Sequence, residues 1–376
     1  MVRRISISFL RHFSRLRLST TAGISSSRLP ASFSPNPLTR LKFALRAKSD
    51  PEKLLALFQS STDLPPTSQK SDPSAPKSEG FFIRIMMLYS AASMPDHASR
   101  TFEQIPVRTE QSLCALLTAY LKQGQHDRVQ ELFDRVPGES GVVAGVATHN
   151  ILLATLCDRG KVHAARQLLD EMPEKKGLEP NIISYNTVTA AYLKREDDVG
   201  FHDILQQIDR KVIDHNVVTY NLRIADFCKR KESFNAEELL HLMVSKGIEP
   251  NLSTFNTLIN GFCTEGNSES ALRLFEGMKK MKREKGKKGV TPSPDTYIIL
   301  ICSLVENKEL ALAEQICREC FIKGFAPPFE AMKALINGLA KDAKVQEAKD
   351  LVDKMRTVVK GSAAGSWRKL EGELLL

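Results

Sequence analysis

Acidic residues are missing from the first 49 positions, tryptophan occurs once in 376 residues, and no apolar run is long enough to cross a bilayer. The missing acids localise the charge. Of 53 lysines and arginines, ten lie in those 49 positions; the other 43 face 44 aspartates and glutamates. The formal net charge of +9 therefore belongs to the N-terminal segment, and general basicity is no argument for what the nearly neutral remainder binds. There is no HExxH, no P-loop and no GxSxG, so zincin, nucleotide hydrolase and serine hydrolase chemistry have no anchor. The seven cysteines include one CxxC, Cys317 and Cys320, without a second pair or a suitably spaced histidine, which excludes the common zinc patterns. The residues call for no catalysis, no cofactor, no metal and no small-molecule substrate.

What the N-terminal segment does contain is arginine and serine. Arg3, Arg4, Arg11, Arg15, Arg17, Arg28, Arg40 and Arg46 are joined by Ser25-Ser26-Ser27, and the first acid is Asp50. This is the composition of an organellar import segment, with mitochondrion favoured over plastid by the weight of arginine. A basic tail that touches RNA or lipid is the other reading. Asp50-Pro51 then suits a short helix start, and residues 61–78 form a Pro/Ser-rich linker.

The body is repetitive. Thr148-His149-Asn150, Ser184-Tyr185-Asn186, Thr219-Tyr220-Asn221 and Thr254-Phe255-Asn256 place their asparagines 36, 35 and 35 residues apart. Each leads into an apolar helical run, and a period in the mid-thirties marks a solenoid of helical hairpins. Eight repeats are read at 79–109, 110–145, 146–181, 182–216, 217–251, 252–293, 294–328 and 329–363, with 364–376 as a C-terminal cap. In repeat 217–251, Val218, Tyr220, Ile224, Phe227 and Cys228 recur at helical spacing, and Ala236, Leu239, Leu240 and Met243 form the stripe of a second helix. Gly247 stops that helix. Neither helix can bury its apolar face alone, so hairpins must stack. The predicted fold is all-α, a right-handed superhelical solenoid of about eight stacked hairpins. Alanine recurs where the two helices of a repeat meet, at Ala98, Ala165, Ala236, Ala271, Ala313 and Ala348; Val129 and Phe201 break the pattern and predict splaying in repeats 110–145 and 182–216.

A 35-residue unit that opens Val-Val-Thr-Tyr-Asn, carries glycine near its end and closes on Pro-Asn resembles the pentatricopeptide repeat family, in its P-class form of uniform repeats. The 34-residue tetratricopeptide repeat, with its Trp-containing signature, does not fit. The resemblance implies an organellar RNA-binding protein of a plant-like eukaryote. In that family the fifth and last residues of a repeat together read one base of single-stranded RNA, and the second flanks the base. Carried over, the resemblance implies the pairs Asn150 with Asn181, Asn186 with Asn216, Asn221 with Asn251, and Asn256 with Ser293, with Ile183 and Val218 flanking bases. It further implies a pyrimidine-pyrimidine-pyrimidine-cytosine core, read 5′ to 3′ from the N-terminus. An asparagine amide offers both a donor and an acceptor to a base edge. The alternative role, helix capping, falls by this reading to the serine or threonine two residues earlier, which leaves the asparagines on the open face and outside the inter-helix core.

The outer repeats depart from the pattern, with Ile83, Cys114, Ile298 and Lys333 at the fifth position. Repeat 252–293 is long, and its excess carries Lys279, Lys280, Lys282, Arg283, Lys285, Lys287 and Lys288, either phosphate contacts or a solvated helix extension. Two functions follow. One is selective binding of single-stranded mitochondrial RNA in transcript processing, stability or translation. The other is a structural part of the mitochondrial ribosome that contacts rRNA and proteins. Neither involves a membrane.

Overall fold

Seventeen α-helices and no strand make up the described residues, 78–280 and 289–374 of the computed structural model. The import segment 1–49, the Asp50-Pro51 helix start, nearly all of the linker, and Lys282, Arg283, Lys285, Lys287 and Lys288 lie outside the described residues. The helices come in pairs: α1 Glu79–Ala91 with α2 Pro95–Glu103, α3 Glu110–Lys122 with α4 His126–Ser140, α5 Val146–Asp158 with α6 Val162–Lys176, and α7 Ile182–Arg195 with α8 Asp198–Arg210. There follow α9 Val217–Lys229 with α10 Ser233–Ser245, α11 Leu252–Thr264 with α12 Ser268–Lys280, α13 Pro294–Glu306 with α14 Leu310–Ile322, and α15 Phe329–Lys341 with α16 Val345–Val358. A single helix, α17 Ser362–Glu371, ends the chain. No helix among the described residues is long and apolar enough to cross a membrane.

The chain divides into two bodies, one ending at Ile213 and one beginning at Asp214. In the first, α1, α3, α5 and α7 pack in succession, and α2, α4 and α6 each also touch the first helix of the following hairpin. The second repeats this with α9, α11, α13 and α15. The recurring alanines Ala98, Ala165, Ala236, Ala271, Ala313 and Ala348 are all fully buried where the two helices of a repeat pack. Val129 and Phe201 are buried in the same slot. Beside Phe201, Gly200 admits the Tyr192 ring so closely that a Cβ would lie 2.3 Å from it. A glycine next to the bulky residue thus lets a neighbouring ring pass where alanine serves elsewhere. Met172, Met243, Met278 and Cys320 share another buried slot, and Cys317 is fully buried too, so both cysteines of the CxxC are packing residues.

Helix ends follow from local chemistry. After α10 the chain turns at Gly247, φ +75°, with Gly247 N–H donating to Val244 O (2.9 Å) and Ile248 N–H to Met243 O (3.0 Å). That pair of bonds satisfies the last carbonyls and requires the left-handed residue at Gly247. At the C-terminus α17 packs on α15 and α16. Trp367 is buried against Phe329, ring centroids 5.6 Å apart, and Arg356 pairs with Glu371.

Candidate nucleic-acid interface

The interface is built from helix caps. The first turn of α7, α9, α11 and α13 leaves backbone N–H groups without intrahelical partners. Each is met by the residue immediately before the helix, in extended conformation. Asn181 Oδ1 accepts from the N–H of Ile183 (3.0 Å) and Ser184 (3.2 Å); Asn216 Oδ1 accepts from Val218 (2.9 Å) and Thr219 (3.1 Å). Asn251 Oδ1 accepts from Thr254 (3.0 Å), and Ser293 Oγ from Thr296 (3.4 Å). The hydroxyls of Ser184, Thr219, Thr254 and Thr296 accept in return from the cap's own N–H at 3.0–3.4 Å. These are capping boxes. The expectation that Ser184, Thr219 and Thr254 are the N-caps is therefore corrected: they are the third residues of their helices, and the caps are the last residues of the preceding repeats. A hydroxyl three residues after an asparagine suits either role, and the sequence does not separate them. Ser293 caps α13 despite the long insertion before it, so its register relative to Asn256 is that of the shorter repeats.

The capping bonds fix how the fifth-position amides point. A backbone N–H can meet only an oxygen, so the cap orients Asn251 with Oδ1 toward α11. Asn221 lies 3.3 Å from that oxygen and so presents Nδ2 to it. Its Oδ1 then faces Thr254 Oγ1, which donates at 2.6 Å. The same chain of bonds runs through Asn181, Asn150 Nδ2 (3.3 Å) and Ser184 Oγ to Asn150 Oδ1 (2.6 Å). At the third site Thr296 Oγ1 donates to Asn256 Oδ1 (2.7 Å). In these pairs each carbonyl oxygen is engaged by a bond inside the protein. What is left for a base is N–H: the second hydrogen of the fifth-position amide and the Nδ2 of the exposed caps Asn181 and Asn251.

This geometry corrects a second expectation. Asn186, Asn221 and Asn256 are not on an open surface; they are 5%, 6% and 9% exposed, and Asn150, Asn221 and Asn256 tie one first helix to the next. Beside them Ile183 and Val218 are 56% and 52% exposed, apolar side chains standing in solvent next to the amide groups.

The remaining predicted positions differ. Lys279 is engaged: it pairs with Glu276 (2.8 Å) and Glu319 (2.9 Å) and lies over the Phe275 ring, so it is no free phosphate contact. Lys280 is exposed. Lys333, fifth in its repeat, pairs with Glu373 of the C-terminal segment. Burial pushes the Cys228 and Cys320 thiols up to about 12 and those of Cys263 and Cys302 up to about 11, which removes them as nucleophiles at neutral pH. Among the described residues no group of histidine, cysteine, aspartate or glutamate side chains is arranged to hold a metal ion.

Sequence reading missed two residues at this interface, Glu79 and Glu110. Glu110 Oε1 accepts from Thr148 N–H (3.0 Å) and Oγ1 (2.9 Å), reaching across to the next hairpin. The signal was present: the first residue of the four asparagine-bearing repeats is Val146, Ile182, Val217 or Leu252, while the first two repeats begin with glutamate.

Comparison with known proteins agrees with this architecture. Profiles described as the PPR repeat family match residues 144–194, 215–264 and 250–306, and profiles described as PPR repeat match 112–139 and 331–357. A pentatricopeptide repeat-containing protein of Arabidopsis thaliana is 36% identical over 90 residues, 23% of this chain and 16% of that relative. The chain thus spans about a sixth of that protein. The Arabidopsis thaliana small ribosomal subunit protein mL103 (rPPR7) is 25% identical over 99% of this chain and 94% of its own length. The crystal structure of the pentatricopeptide repeat protein PPR10 from maize superposes with a TM-score of 0.54 at 15% identity, over 90% of this chain and 58% of that one.

Proposed function

The chain belongs to the pentatricopeptide repeat family, and from that premise we propose that it binds single-stranded RNA, one base per repeat, through repeats 146–181, 182–216, 217–251 and 252–293. The observation that carries this is the pair of locked amides, Asn150 with Asn181 and Asn221 with Asn251, in which each fifth-position Nδ2 donates to the last-position Oδ1 in two separate repeats. A donor edge suits the O2 acceptor common to both pyrimidines, and the long amide fills the space that a purine would need. Ile183 and Val218 give a base an apolar surface on its side. Asn256 with Ser293 completes the proposed pyrimidine-pyrimidine-pyrimidine-cytosine core. At about 1–3 kcal/mol for each well-placed base, four readers give modest affinity, which fits a binding adaptor. The Arg-rich, acid-free segment 1–49 supports action in mitochondria. Residues 1–60 fused to a fluorescent protein are expected to enter them, and plastid or cytosolic signal would overturn that assignment.

The decisive experiment exchanges one reader. Asn221→Thr replaces a long amide by a short hydroxyl and is expected to move preference at one central base from pyrimidine to adenine. Short RNAs that differ only at that base read it out. Equal base rankings for wild type and variant, or no binding by wild type at physiological salt, would refute the reader.

A second reading concerns which RNA is bound. Similarity to a small ribosomal subunit protein along nearly the whole of both chains favours a place in the mitochondrial ribosome, where the same surface meets rRNA or protein. Sedimentation of a mitochondrial lysate separates the two: co-migration with a ribosomal subunit supports the structural role, and migration in light fractions supports the transcript-binding adaptor.

A further inference from the structure

Glu110 stands where the asparagine-bearing repeats hold amides. It is the first residue of α3, one helical turn before Cys114, and the two side chains share a face. Its Oε1 accepts from the backbone N–H and the hydroxyl of Thr148 in the first turn of α5, at 3.0 and 2.9 Å. In the later repeats that N–H is served by the last residue of the preceding repeat, as Asn181 and Asn251 do. Here the N-cap is Gly145, which has no side chain to offer. A Cβ at Gly145 would lie 2.7 and 2.9 Å from the two carboxylate oxygens of Glu110, so the glycine makes room for the carboxylate. Cys114, in place of the fifth-position asparagine, reaches the same hydroxyl with Sγ at 3.5 Å.

Repeat 79–109 carries a related arrangement. Glu79 Oε1 accepts from Thr109 N–H (2.8 Å) and Oγ1 (2.9 Å) at the start of α3. Burial, which opposes ionisation there, is outweighed by hydrogen bonds from Ser112 and Thr109, so the Glu79 carboxyl sits below its ordinary value. Both N-terminal repeats therefore put an anion at the junction where repeats 146–181 and 217–251 put amide donors.

We infer that Glu110 is a specificity-determining residue: it caps α5 from the neighbouring helix and, by the same placement, closes repeat 110–145 to RNA, so that base reading begins at the repeat opened by Val146. The inference rests on the base-reading proposal. A base edge brought to this junction meets a carboxylate and a thiol where its neighbours meet two amides, and its own phosphate meets like charge.

Two variants test it on ten-nucleotide single strands that carry the pyrimidine core, with all four bases placed in turn at the nucleotide 5′ of the core. Glu110→Gln keeps an oxygen for Thr148 but removes the charge. It is expected to bind about two- to threefold more tightly than wild type at 0.15 M salt, without acquiring a ranking at the 5′ nucleotide. The triple variant Glu110→Val, Cys114→Asn, Gly145→Asn rebuilds the amide pair and is expected to gain about tenfold preference for pyrimidine there, with the core ranking unchanged. Wild type that already ranks the 5′ base overturns the inference. So does Glu110→Gln binding no better than wild type, and this arm stands even if the triple variant fails to fold. So does a folded triple variant that reads the core but gains no ranking beside it. If wild type shows no ranking within the core either, the base-reading proposal fails first and this inference falls with it.

Discussion

Replacing Thr254 by valine tests whether the amide orientation is held as described. Thr254 is fully buried, and its hydroxyl donates most closely to Asn221 Oδ1 at 2.6 Å, with Asn251 Oδ1 at 3.1 Å, and accepts from Asn251 N–H at 3.1 Å; the first and last are the bonds at issue. Valine keeps the shape and removes both. A neutral hydrogen bond contributes about 0.5–1.5 kcal/mol net, and a buried polar group left without a partner costs about 1–3 kcal/mol. Asn221 Oδ1 is the group stranded, so the sum expected is about 2–3 kcal/mol. For a body of this size that corresponds to a fall in melting midpoint of roughly 4–12 °C.

The functional consequence is separate from the stability. Without Thr254 as donor, only the 3.3 Å bond from Asn221 Nδ2 to Asn251 Oδ1 holds the amide, which is then freer to turn. Pyrimidine discrimination at that base is expected to fall about tenfold, the equivalent of one well-formed contact. Thr254→Ser is the control, since Ser184 fills the equivalent place in repeat 182–216 with the same bonds. It is expected to keep the base ranking and to lose less than about 1 kcal/mol. Melting curves and competition binding with short RNAs measure both quantities. Should Thr254→Val and Thr254→Ser match in stability and in ranking, the hydroxyl does not orient the amide and the bond network is wrong.

Three further outcomes are expected. His149 is buried with Nε2 unpartnered and Nδ1 2.8 Å from Gly145 O, and burial lowers its pKa below the ordinary 6.5. The unfolded chain then binds more protons than the folded one, so stability is complete above about pH 6.5 and declines as pH falls below it; His149→Phe, the residue type of Phe255, is expected to remove that decline in melting scans between pH 7 and 5. Trp367→Ala empties a fully buried site against Phe329 and is expected to cost about 3–5 kcal/mol in denaturant titrations, against a negligible effect if α17 were merely resting on the surface. Lys279→Gln is expected to leave the salt dependence of RNA affinity unchanged, because Lys279 is already neutralised by Glu276 and Glu319; a shallower salt slope would restore it as a phosphate contact.

The fold was legible because its determinants are local and repeated. A buried alanine such as Ala236 or Ala271 recurs at one position of successive second helices, and the periodicity that signals a helix also signals its partner. The interface was legible only in register. That Asn221 and Asn251 belong together was implied by the family resemblance, but that Asn221 turns its oxygen toward Thr254 depends on bonds to Asn251 and to the next hairpin. Lys279 was left open between phosphate contact and solvated helix for the same reason: a run of lysines shows its own charge and not Glu319, which arrives from 40 residues away. Glu110 looked like an ordinary acid in a helix first turn, where the helix dipole favours it; its partner Thr148 is 38 residues on. Gly200 beside Phe201 shows the reverse, a local exception that a slot-by-slot count of alanines overlooked.

In the proposed base-reading scheme, the double use of the last residue limits what this array can recognise. Asn181, Asn216, Asn251 and Ser293 each spend a side-chain oxygen on a backbone N–H of the next helix. Replacing such a cap by alanine costs about 0.5–2 kcal/mol before any RNA is considered. In these four repeats the position therefore favours residues whose side chains cap helices: asparagine, aspartate, serine and threonine. Those are the short polar side chains with a second atom or lone pair left over to meet a base. In the proposed base-reading scheme recognition is thus drawn from the capping alphabet; a repeat that leaves it either takes its cap from elsewhere or, as with Pro328 before α15, has no side-chain cap. Gly145 is such a departure, and Glu110 supplies the missing cap at the place where a base edge would sit. On the proposed reading, the loss of a reader and the gain of a carboxylate in this chain are one structural event, set by the need to satisfy the first turn of α5.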